Sequence, residues 1–188
     1  MKRIAFLPLL LAFAPGPTLA QDAGTDALSP TQRKMCEETP CQRDLRVILR
    51  GKEGGTFDRT FKVFPPTAMG SGFIVVAGQT VHVEAEVVGD KLANYKAVTA
   101  VVHPERTITA EFKQQADGGM LLTVDNPFPK ALKFRMGIMP LDKESLYATS
   151  SCPIEAGLKN FESWPYPIFQ VVLTAGHFPE GDATGCVE

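Results

Sequence analysis

His82, Glu84 and Glu86 stand at alternate positions of one extended segment, so their side chains project from the same strand face about 6.5–7 Å apart. Imidazole and carboxylate ligands at that spacing suit a divalent metal, with His82 as first ligand, and His103 joins them if its strand pairs with this one. Met120, Met136 and Met139 add soft sulfur of the kind an exported copper protein uses, although Met136 alternates with Phe134 and Ile138 as a core residue would. The plainer expectation for His82, Glu84 and Glu86 is a solvated strand face. As an acid/base pair Glu84 and Glu86 are poorly placed, because that chemistry needs two carboxyls in contrasting environments across a cleft.

Nucleophilic and phosphate chemistry find no motif. Met69 occupies the place of the first glycine that a G-x-S-x-G elbow would need around Gly70-Ser71-Gly72. No G-x-G-x-x-G opens a helix, and no G-K-[ST] occurs. No cofactor is expected. His177, in Ala175-Gly176-His177-Phe178-Pro179, reads as a turn histidine after the last strand.

Residues 161–169 are the densest aromatic stretch, with Phe161, Trp164, Tyr166 and Phe169 among two prolines that stiffen the backbone. Exposed, Phe161, Trp164 and Tyr166 form a recognition surface of rigid anchors. Buried, the chain's single Trp plugs one end of the fold. Burial is the expectation for Trp164.

The position of the cysteines decides how the chain is held together. Lys2 and Arg3 precede an apolar run at residues 4–13, and small residues end at Ala20: a basic start, a short apolar core and a cleavage site, the pattern of a secretory signal peptide. That run is too short for the roughly 20 residues of a membrane-crossing helix, and no second one follows. A periplasmic or secreted chain cleaved near Ala20 is expected. Cys36, Cys41, Cys152 and Cys186 all lie beyond that point, and an even count in an oxidising compartment implies two disulfides. Sequence permits three pairings; Cys36 with Cys41 and Cys152 with Cys186 is the expected one, because Pro40 bends a compact loop and the polar tail needs a tether.

The whole chain carries 19 basic and 21 acidic residues, and loss of Lys2 and Arg3 leaves 17 against 21, a charge of −4. Such a chain has no electrostatic footprint for nucleic acid. Residues 21–35 are small and polar and read as a mobile leader, with Ser29-Pro30-Thr31-Gln32 starting a brief helical turn; the domain is expected over residues 36–188.

Within it, short apolar stretches alternate with turns. Strands are predicted at residues 44–50, 56–64, 79–88, 95–102, 106–114, 120–124, 130–139, 145–152 and 168–174, with Asp117-Gly118-Gly119 as a tight hairpin connection. Residues 68–72 are read as a loop and 153–167 as an excursion. Gly78-Gln79-Thr80-Val81-His82-Val83-Glu84-Ala85-Glu86-Val87 resembles the second strand of bacterial immunoglobulin-like modules. The expected fold is all-β: one decorated antiparallel β-sandwich, immunoglobulin-like and stapled by disulfides. The leading functional expectation is a non-enzymatic exported module binding a protein or envelope component through sheet edges and the Trp164 region. Metal handling through His82, Glu84 and His103 comes second, and a hydrolase with an unrecognised site third.

Overall fold

The computed structural model describes residues 30–180 and 185–186. The signal-peptide reading and residues 21–29 of the leader fall outside the described residues. Helix α1 (Pro30–Glu38) opens the described chain. Pro30 suits a first helical turn, where no intrahelical partner for its N–H is needed, and Thr39 before Pro40 disfavours a further turn. Residues 30–35, read above as the end of a mobile leader, are therefore helical. Cys36 lies in that helix and pairs with Cys41, which joins α1 to the first strand.

Two antiparallel strands, β1 (Gln42–Arg50) and β2 (Thr56–Phe64), form a separate hairpin. Its inner face buries Val47 and Leu49 and sets Phe57, Phe61 and Phe64 around Phe169, with ring centroids 6.1, 5.4 and 5.9 Å away. Arg50 anchors the hairpin end: its backbone N–H donates to Gln114 Oε1 at 2.8 Å, and its carbonyl accepts from Gln114 Nε2 at 2.9 Å.

The remaining strands are β3 (Ala68–Met69), β4 (Gly72–Val76), β5 (Thr80–Val88), β6 (Lys91–Val98), β7 (Thr107–Gln114), β8 (Met120–Asp125), β9 (Lys133–Pro140), β10 (Tyr147–Thr149), β11 (Lys159–Trp164) and β12 (Ile168–His177). They form one ten-stranded antiparallel sheet in the order β10-β9-β12-β6-β5-β7-β8-β11, with β4 on β12 and β3 on β4. Strands β12 and β6 meet only at His177 opposite Lys91, so the sheet folds over at that corner. Strand β4 is covered on both faces: all five of its residues are buried, and Phe73 meets Tyr95 of β6 at 6.2 Å and Phe134 of β9 at 5.7 Å. The protein is thus nearly all antiparallel β, arranged in two sheets, with a continuous core through Val83, Ile108, Phe112, Leu122 and Leu173.

Several expected elements shift. Gly70-Ser71 is a two-residue turn between paired Met69 and Gly72, so residues 68–72 are a hairpin rather than a loop. The strand predicted at 95–102 begins at Lys91, because Gly89, at φ 66°, makes a two-residue turn with Asp90 that pairs Val88 with Lys91 at once. The excursion at 153–167 contains β11, which pairs with β8 along its whole length. Asn126 organises the turn after β8: fully buried, it donates from Nδ2 to the carbonyls of Lys130 and Ile154 at 2.8 and 2.7 Å, and its Oδ1 accepts from Phe128 N–H at 3.0 Å. Few other side chains could satisfy three backbone groups in so small a space.

Cys152 is bonded to Cys186, a separation of 34 residues. Both expected disulfides are formed, and they fit an oxidising, extracytoplasmic setting. No helix among the described residues is long and apolar enough to cross a membrane.

Candidate functional site

The aromatic stretch divides between core and surface because β11 is a strand whose alternate residues face opposite ways. Trp164 is buried at 9% exposure, its indole edge-to-face with Phe112 at 6.2 Å and its Nε1–H directed to Thr149 Oγ1 at 3.5 Å. Trp164 is therefore a plug and not an exposed anchor. Tyr166 is half-buried, with Lys52 Nζ 5.0 Å above its ring. Phe161 remains outside, 62% exposed.

Phe161 sits on a strand edge. The pairing of β11 with β8 uses one side of the strand, and among the described residues no other strand pairs with it. The N–H of Phe161 bonds to Asn160 Oδ1 at 2.9 Å, a contact within β11 itself and not a rung of the β8 ladder. An exposed aromatic on a strand whose outer edge has no strand partner among the described residues is the surface that edge-to-edge recognition uses.

The expected metal ligands each find a separate partner. His82 Nδ1 lies 3.0 Å from Thr109 Oγ1, directly across the β5–β7 pair. Glu84, largely buried, accepts from Arg106 Nη2 at 3.3 Å. Glu86 Oε2 accepts from Asn94 Nδ2 at 2.6 Å, where Asn94, at φ 52°, forms a bulge in β6. His103 stands 3.8 Å from Glu105. Among the described residues no group of three or more His, Cys, Asp or Glu is placed to hold a metal ion. Met120 and Met136 are buried in the core, and Met139 packs against it.

A concavity that sequence reasoning missed lies where β12 turns the corner. A pocket of about 610 Å³ is lined by Gly70 and Ser71 of the β3–β4 turn, Lys91 to Ala93 of β6, Arg135 of β9, and Ala175 to His177 of β12. A neighbouring pocket of about 290 Å³ shares Arg135 and His177 and adds Lys133, Thr149 and Ser151. Strand β12 reaches this place through a bulge between Thr174 and His177, with Ala175 at φ 50°. A non-glycine residue in that conformation costs about 1–3 kcal/mol. Gly176 follows because nothing larger fits: a Cβ there would stand 2.5 Å from the Tyr95 hydroxyl and 2.8 Å from Phe134. The only sequence signal was the run Ala175-Gly176-His177 after an apolar strand, and no spacing rule links it to Lys91 or Arg135.

Beneath the pocket, Tyr95 accepts the Gly176 N–H at 3.2 Å, and burial pushes its phenol up to about 12. The ordinary value is 10.0, so folding favours the neutral phenol; the associated stability is complete below about pH 10 and lost as pH rises towards 12. Urea unfolding across that window is expected to show a steeper loss of stability for the native chain than for Tyr95→Phe. Equal slopes would remove Tyr95 as the titrating group.

Comparisons with protein-family models, with curated proteins and with solved structures give no match to this chain.

Proposed function

We propose that this chain is an exported, non-enzymatic module with an immunoglobulin-like β-sandwich fold, which binds a protein partner of the cell envelope along the outer edge of β11. The observation that carries the reading is Phe161, 62% exposed on a strand with one side unpaired among the described residues. Main-chain hydrogen bonds of an added strand supply affinity in such a contact, and the aromatic ring supplies specificity. The signal-like residues 2–20 and the two disulfides support the exported setting.

The mature chain with a photoreactive residue in place of exposed Ser163 tests the edge directly in envelope extract. A discrete crosslinked protein is expected, lost in a second chain that also carries Phe161→Asp and unfolds at an unchanged temperature. An unaltered crosslink in that second chain, or none from the first, overturns the assignment.

A further inference from the structure

We propose that the pocket at the β12–β6 corner binds a small oxyanion-bearing ligand, phosphate or carboxylate, through Lys91, Arg135 and His177. Cross-strand register brings the charges together. His177 is directly opposite Lys91 on one side and Lys133 on the other, and Arg135 follows two residues along β9. Neighbouring strands are about 4.8 Å apart, so Lys91 and Lys133 flank His177 within about 10 Å of each other. Lys91, Lys133 and Arg135 thus line one concavity with positive charge, the electrostatic setting that attracts an anion.

Among the described residues no such anion lines the site. Among the described residues, Lys91, Arg135 and Lys133 make no ion pair, and neither Asp90 nor Glu180 lines the two pockets. Lys133 has only a neutral partner, the carbonyl of Gly185 at 3.0 Å. His177 is pinned: its Nδ1–H donates to the Ala175 carbonyl at 3.1 Å, which leaves Nε2 as the ring nitrogen without a partner among the described residues. The left-handed backbone at Ala175 is thus held where it fixes an imidazole between two lysines and beside an arginine, and a strained bulge that aims a side chain in this way is characteristic of ligand sites. Arg135 stands at the junction of the two pockets, where its planar fork can engage two oxygens of a carboxylate or phosphate together. Volumes of about 610 and 290 Å³ suit a small metabolite-sized ligand.

None of these residues belongs to β11, so the site stands independently of the edge reading. Titration calorimetry of the mature chain with inorganic phosphate, and separately with succinate, is the test. Saturable binding of at least one probe is expected, weakened about tenfold or more by Arg135→Gln and by Lys91→Gln, as loss of a charge-assisted hydrogen bond implies. Lys143→Gln, an exposed lysine outside both pockets, should leave the affinity unchanged, and so should Phe161→Asp. The probe that binds more tightly distinguishes a phosphoryl ligand from a carboxylate. Absence of saturable binding for both probes, or equal weakening by Lys143→Gln, overturns the proposal.

Discussion

Trp164→Ala is expected to lower the stability of the protein by about 3–5 kcal/mol, the range for deleting a large aromatic from a packed core. For a chain of this size that is about 6–20 °C in melting temperature. The cause lies in what the indole touches. Trp164 closes the β8–β11 end of the sheet against Phe112, itself fully buried, and its Nε1–H reaches Thr149 at the end of β10. Removing it opens a cavity beside Phe112 and Thr149. Because it is the only tryptophan, its fluorescence reports the same site without labelling, and native emission should be blue-shifted and move red on unfolding. Phe161→Ala, three residues away on the same strand, is expected to change stability by no more than about 0.5 kcal/mol. Urea denaturation of the two variants side by side decides the matter: if Phe161→Ala costs as much as Trp164→Ala, the division of β11 into an inner and an outer face is wrong.

The second large effect is expected from Cys152→Ser combined with Cys186→Ser. Closing a loop over a separation of 34 residues restricts the unfolded chain by about 4 kcal/mol on the chain-entropy account, against about 2 kcal/mol for the separation of 5 between Cys36 and Cys41. The longer bridge also fixes the tail beside the basic pocket, since Gly185, next to Cys186, accepts the hydrogen bond of Lys133. The double variant should therefore unfold at markedly lower urea than Cys36→Ser with Cys41→Ser. A short bridge that proves the costlier one would show that anchoring α1 to β1 outweighs the loop-length effect.

Strands with one wet face were readable residue by residue. Residues 56–64 and 120–124 were predicted within one position of β2 and β8, because clear turn signals bound them: Pro65-Pro66 after the first, Asp117-Gly118-Gly119 and Asp125-Asn126-Pro127 around the second. Strand β4 left no such trace. Gly72-Phe73-Ile74-Val75-Val76 is apolar throughout because β4 is covered on both faces, so it has no period of two to detect. Strand β11 was hidden for a different reason: its inner positions Asn160 and Glu162 are polar while the outer Phe161 is aromatic, so it lacks the apolar-in, polar-out alternation, and prolines follow at residues 165 and 167.

The metal-ligand pattern shows how far strand periodicity reaches towards chemistry. Alternation correctly put His82 and Glu84 on a common side of β5. The partners that occupy them, Thr109 and Arg106, come from across a strand pair whose register the local sequence does not encode.

By itself the sequence determined the nearly all-β class and favoured the disulfide pairs that form, since strand alternation and the closing of a short loop are local properties. The tertiary structure alone decided that Trp164 is core while Phe161 is surface, and that Lys91, Arg135 and His177 meet. Those residues lie 44 and 42 positions apart along the chain, and they converge only because β12, through a bulge at Ala175, pairs with β9 on one side and touches β6 on the other at the corner where the sheet folds over. Register between distant strands is set by the packing of the whole core, which no window of local sequence contains.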